Sequence, residues 1–123
     1  DSTKASTIVM KYMQKYGFKV FPVNPKAKGQ KILGEEVFDK ITDIRDPVDI
    51  VDVFRPSKEA LDIAKDTVSI KAKVLWLQLG IKSEEAKKIV EENKIEYVED
   101  KCTKMEYQKH FLKVRQAFPV LQS

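Results

Sequence analysis

Ala72-Lys73-Val74-Leu75-Trp76-Leu77-Gln78-Leu79-Gly80 is the stretch that decides the fold. From Lys73 to Leu79 it is a nearly continuous apolar run, the pattern of a parallel strand buried on both faces. Gly80 closes it. Downstream, Ser83 opens a helix that ends near Asn93, and Glu84 and Glu85 suit the positive end of its dipole. Ile95 to Glu99 reads as a last strand, and Thr103 to about Ala117 as a final helix.

Upstream the same alternation holds. Val48 to Phe54 is strongly β-branched and reads as a strand. Ser57, after Pro56, is placed to cap a helix over Ser57 to Ser69 with Ala60, Leu61, Ala64 and Val68 inward. Thr42 to Ile44 reads as a turn before Pro47, Glu36 to Phe38 as a brief extended segment, and Lys26 to Gly34 as a polar stretch outside the core. Lys19 to Val23 is expected to be a short strand ended by Asn24-Pro25. Ser6 to Tyr16 carries Ile8, Val9, Tyr12, Met13 and Tyr16 on one helix face, with Ser2, Thr3 or Ser6 as caps and Gly17 as the stop. Strands joined through single helices imply an α/β domain with a mostly parallel sheet and right-handed connections. Ligands of such sheets bind beyond the carboxyl ends of the strands.

The chain has 123 residues, 42% hydrophobic and 34% charged, which suits one domain over residues 1–123 with a real core. No apolar run approaches a membrane span, and the first residues lack the apolar stretch of a signal peptide. One cysteine, Cys102, rules out an internal disulfide. These features lead to the expectation of a soluble, cytoplasmic protein. The net charge of +4 is mixed with acids and forms no basic stripe with exposed aromatics, which disfavours nucleic acid.

Four loops occupy the ligand edge, after Val23, Phe54, Leu79 and Val98. Asn24-Pro25 suits a turn, the better reading taken alone, or an amide facing a ribose or base edge. Lys26, Lys28 and Lys31 form a solvated loop or a clamp for a sugar phosphate. Thr3, Lys4 and Ser6 lie at a helix start, where free N–H groups bind phosphate. Val53, Phe54 and Arg55 leave the second strand before Pro56. Gln78 sits at the mouth of the most buried strand and needs hydrogen-bond partners, backbone or ligand. The catalytic inventory is thin. His110 is the only histidine, no zinc spacing exists, Asp49, Asp52, Asp62 and Asp66 make no convincing metal set, and Walker A and G-x-G-x-x-G are absent. Cys102 reads as a small buried hydrophobe before it reads as a reactive thiol.

Four segments carry a family resemblance. They are Tyr16 to Pro25 followed by Ile32 to Phe38, then Pro47 to Arg55, Ala72 to Gly80, and Asp100-Lys101-Cys102. Together they resemble the stand-alone coenzyme A-binding proteins, which are similar to the coenzyme-binding domain of the succinyl-CoA synthetase α subunit. The resemblance implies a Rossmann-like three-layer sandwich that binds coenzyme A (CoA) or an acyl-CoA without catalysing a reaction. It implies pyrophosphate at Thr3, Lys4 and Ser6, and the ribose with its 3′-phosphate at Asn24, Pro25 and Lys26. It places Val53, Phe54 and Arg55 beside the adenine or the pantetheine arm, and Gln78 and Gly80 at the third strand's mouth. Cys102 matches a recurrent cysteine. The family begins with an apolar strand and a Gly-x-Ser turn that precede the segment matching Asp1. The expectation is therefore roughly a dozen further upstream residues in the parent protein. Phe111 to Ser123 exceeds the usual family end, and Phe118, Val120 and Leu121 are apolar enough to pack on the domain or a partner.

The alternative is an NADP-dependent or acyl-CoA-handling enzyme using the same crevice. NAD binding favours an acid at the end of the second Rossmann strand, to hold the ribose hydroxyls. The strand ending Val23-Asn24-Pro25 offers none, only nearby lysines, which disfavours NAD and is compatible with a phosphorylated ribose, NADP included. A monomer or weak homodimer is expected, and a CoA-sensing adaptor using the charged C-terminal helix is a third reading.

Overall fold

The computed structural model describes residues 2–109. Its element order is α1 (Ser2–Lys15), β1 (Lys31–Ile32), β2 (Glu35–Glu36), β3 (Ile50–Val53), α2 (Ala60–Ser69), β4 (Val74–Leu77), α3 (Glu84–Glu92), β5 (Glu96–Val98) and α4 (Thr103–Tyr107). Short 3-10 turns fall at Pro25–Ala27, Ile41–Asp43 and Ser57–Glu59.

The central sheet is parallel, in the order β3-β4-β5. Its register sets Val51 beside Leu75 and Tyr97, and Asp52 beside Trp76 and Val98. Side chains alternate across a strand, so Val51, Val53, Leu75 and Leu77 share one face. That face is buried against Ala60, Ala64, Ala86 and Val90 of α2 and α3. Alanine at three of these four helix positions leaves no bulk between helix and strand. The domain is therefore α/β and Rossmann-like, a three-stranded parallel sheet flanked by helices.

Several expectations change in detail. The first helix starts at Ser2, not Ser6, and Met10 is buried while Ile8 is half exposed, so the inward face is rotated from the expected one. Residues 19–23 form no regular strand. Only Val23 bridges, in parallel, to Phe38, through Asn24 N–H to Phe38 O at 2.9 Å and Phe38 N–H to Pro22 O at 2.9 Å. Pro22 has no N–H with which to extend a ladder. Among the described residues β3 likewise pairs on one side only, with β4.

The polar stretch before Val37 holds a small antiparallel hairpin, β1 with β2, turning at Leu33 and Gly34 with φ of 50° and 84°. Two successive positive φ values are what a two-residue hairpin turn requires. Ser57 is not a helix cap. It starts a 3-10 turn, and its Oγ instead accepts Lys82 N–H at 3.1 Å. Ser83 does cap α3, its Oγ accepting Ala86 N–H at 3.1 Å. The final helix is seen as Thr103–Tyr107. Its expected continuation to Ala117, His110, and Phe118, Val120 and Leu121 lie outside the described residues.

Candidate functional site at the carboxyl edge of the sheet

The loops after β3, β4 and β5 meet at one edge because all three strands run the same way. Backbone bonds lace them together. Gln78 N–H donates to Val53 O (3.1 Å), Lys101 N–H to Leu77 O (3.3 Å) and Asp100 N–H to Ile81 O (3.2 Å). The β5–α4 loop thus crosses the end of β4. Asp100 adopts φ of 56°, and its carboxylate accepts Gly80 N–H at 2.7 Å. Lys82 lies 3.9 Å from the same carboxylate. Trp76 Nε1–H donates to Lys101 O at 2.7 Å and fixes the loop from beneath. Tyr97 ties the start of α3 to β5, its hydroxyl accepting Ser83 N–H (3.0 Å) and lying 2.8 Å from Glu99 Oε1. Burial, with that bond to Glu99, raises the phenol's pKa.

Beneath the loops lies a buried polar ring. Gln78, 4% exposed, donates from Nε2 to Asp52 Oδ1 and to Thr103 Oγ1, the latter at 3.0 Å. Thr103 Oγ1–H donates to Asp52 Oδ2 at 2.8 Å. Only the amide nitrogen can donate to a carboxylate, so the ring fixes the orientation of Gln78. Burial pushes the Asp52 carboxyl up to about 6, against the opposing effect of the two hydrogen bonds.

The expected site residues are distributed as follows. Thr3, Lys4 and Ser6 lie in the first turns of α1. Asn24 caps the 3-10 turn at Pro25, its Oδ1 accepting Lys26 N–H at 2.9 Å, while Lys26 itself is exposed. The amide oxygen of Asn24 thus already performs turn chemistry, leaving its NH2 as the group it can offer a ligand. Val53 is buried in the core on the α2–α3 face, so only its backbone reaches the edge. Phe54 is half-buried, and Arg55 holds Glu59 through Nε and Nη2, each at 3.1 Å. Gly80 has φ of 81° and its N–H is taken by Asp100. Val53 to Arg55, Gln78 and Gly80 therefore share one edge with the β5–α4 loop.

Asp52, Thr103 and Asp100 were not anticipated as site residues. A signal for Asp52 does exist, because an acid between Val51 and Val53 in a strand must face the layer opposite the valines. No comparable signal marks Thr103, whose proximity depends on the β5–α4 crossover.

Residues 1–108 match the model of the CoA binding domain family. The chain belongs to that family. It is similar to the uncharacterized protein YneT of Bacillus subtilis, 33% identical over 102 residues, which cover 83% of this chain and 74% of that one. Among solved structures, cell-free ID.343 from Thermus thermophilus is 36% identical with a TM-score of 0.81, covering 85% of this chain and 78% of that one. A hypothetical protein from Pyrococcus horikoshii OT3 is 32% identical with a TM-score of 0.80, covering 84% and 71%. Among the described residues no helix is long and apolar enough to cross a membrane.

Proposed function

We propose that this protein binds coenzyme A or an acyl-CoA, without transforming it, at the carboxyl ends of its parallel strands. The match of nearly the whole described chain to the CoA-binding family carries this reading. In it, the start of α1 takes the pyrophosphate through the backbone N–H groups of its first turn, with Thr3, Lys4 and Ser6 around it. Asn24, Pro25 and Lys26 flank the ribose and its 3′-phosphate. Val53, Phe54 and Arg55 line the adenine or pantetheine arm, and Gln78 and Gly80 form the mouth. The protein works as a cytoplasmic monomer or weak homodimer. The alternative enzyme, NADP-dependent or acting on acyl-CoA, uses the same edge.

Ligand binding to the native state raises stability, by about 2.7 kcal/mol at a hundredfold excess over Kd. CoA is therefore expected to raise Tm, NADP less and NAD least. No shift at millimolar CoA, in protein carrying any natural upstream residues, sinks the proposal. Replacing Lys26 and Lys28 together by alanine is expected to weaken CoA more than dephospho-CoA. Equal losses would remove the 3′-phosphate from this loop.

A further inference from the structure

The ring of Asp52, Gln78 and Thr103 has a hydrogen count that the ionised form of Asp52 satisfies in full. Gln78 Nε2 carries two hydrogens, one for each neighbour, and Thr103 Oγ1 carries one, which goes to Asp52. Three hydrogens fill three contacts, and the carboxylate receives two of them. A protonated Asp52 adds a fourth hydrogen. Placed on Oδ2 towards Thr103, it competes for the contact that the threonine hydroxyl now fills, and Thr103 then turns its own hydrogen away. Thr103 is the first residue of α4 and directly follows the loop that crosses the end of β4.

No salt bridge reaches Asp52 among the described residues. The charged groups on the surrounding elements are engaged elsewhere or exposed. Asp49 pairs with Lys73, Arg55 with Glu59, and Lys82 with Asp100. Glu99 bonds Tyr97, and Lys104 of α4 lies over the Tyr12 ring of α1. Lys11, Lys15, Glu96 and Lys101 are exposed, and the Cys102 thiol is half-buried. Among the described residues the ring's hydrogen bonds alone support the charge, in a setting where an unpaired carboxylate is costly.

We propose that Asp52, acting through Gln78 and Thr103, is a positioning residue for the β5–α4 loop, and that its ionisation sets the coenzyme crevice. The carboxylate form holds the loop in the binding arrangement, and protonation releases Thr103 and loosens it. The inference rests on the coenzyme A reading above, but part of its test needs no ligand.

The Lys101 amide bonds Leu77 O, and the indole N–H of Trp76, the chain's one tryptophan, bonds Lys101 O. Their NMR shifts report the loop. In the free protein both are expected to step near pH 6 and to stay constant in Asp52→Asn, which has no carboxyl to titrate. In Thr103→Val the step moves to higher pH, because one bond that favours the charge is gone. At pH 8, Asp52→Asn is expected to bind CoA about fivefold more weakly than wild type, with the two converging at pH 5. A step retained in Asp52→Asn, no step in wild type, or a Thr103→Val step that does not rise overturns the proposal. So do parallel CoA affinities of the two proteins across the range. A wild-type step without CoA binding at any pH overturns the coenzyme reading and its coupling while leaving the ring's titration standing. Should Asp52→Asn fail to fold, Thr103→Val decides.

Discussion

The two faces of the same three strands are built on opposite terms. Val51, Val53, Leu75 and Leu77 point to α2 and α3 and are almost wholly removed from water, Leu75 and Leu77 at 0% exposure. One residue along, Asp52, Trp76 and Gln78 point the other way and meet the β5–α4 loop and the start of α4 through hydrogen bonds. The first face is held by apolar area and tight packing, which tolerates neither cavities nor polar atoms. The second is held by directional bonds whose number depends on a proton. Period-two alternation lets one strand supply the fold's stability and, one residue later, a group able to respond to conditions.

The largest effect should come from breaking the dry face. Leu75→Ala leaves a cavity among Ala64, Leu77 and Val90 and is expected to cost about 3 kcal/mol, read as a lower urea midpoint with an unchanged slope. The Asp52–Gln78–Thr103 ring is expected to keep its titration in this variant. A cost below about 1 kcal/mol would mean that the face is looser than its burial implies.

The wet face predicts an effect no larger, but with a definite sign. The Asp52 carboxyl ionises at about 6 when folded, against its ordinary value of 3.8. Between those values the native state holds a proton that the unfolded chain has released. Its contribution is therefore fully present below about pH 4 and is lost as pH rises through 6. The loss amounts to about 3 kcal/mol. Because other carboxylates titrate in the same range, the useful quantity is Asp52→Asn minus wild type. That difference should be near zero at pH 4 and favour the variant above pH 7. A variant less stable than wild type at pH 7.5 would show that the ring's bonds outweigh its desolvation. The expected gain in stability comes with the expected weakening of CoA binding, a trade-off between stability and function.

The dry face was legible in the sequence and the wet face was not, for a physical reason. Val74 to Leu79 and Val48 to Phe54 announce buried strands because apolar periodicity is a property of neighbouring residues. Ser83 announces a helix start because capping is equally local. The ring joins residues 26 and 51 positions apart, and no local pattern encodes that meeting. A glutamine at the end of a buried strand needs partners, and Gln78 has them, but their identity depends on the register of β3 on β4 and on the loop after β5. Residues 19–23 failed as a strand for a related reason. Strand propensity is realised only when a neighbour supplies the ladder, and among the described residues only Phe38 does so.

The smallest effect concerns Arg55, where the two faces come together at the end of β3. Its guanidinium holds Glu59 one helical turn on, both side chains partly exposed, so the pair contributes only a few tenths of a kcal/mol. Arg55→Ala and Glu59→Gln should then leave stability almost unchanged. Their effects on CoA should have opposite signs. Arg55→Ala removes a cation from the proposed site and weakens binding, while Glu59→Gln frees the guanidinium for the ligand and strengthens it modestly. Calorimetric titration of the two variants against wild type reads this directly. If both leave the affinity unchanged, Arg55 belongs to the scaffold, and the ligand edge lies closer to Asn24, Lys26 and the start of α1.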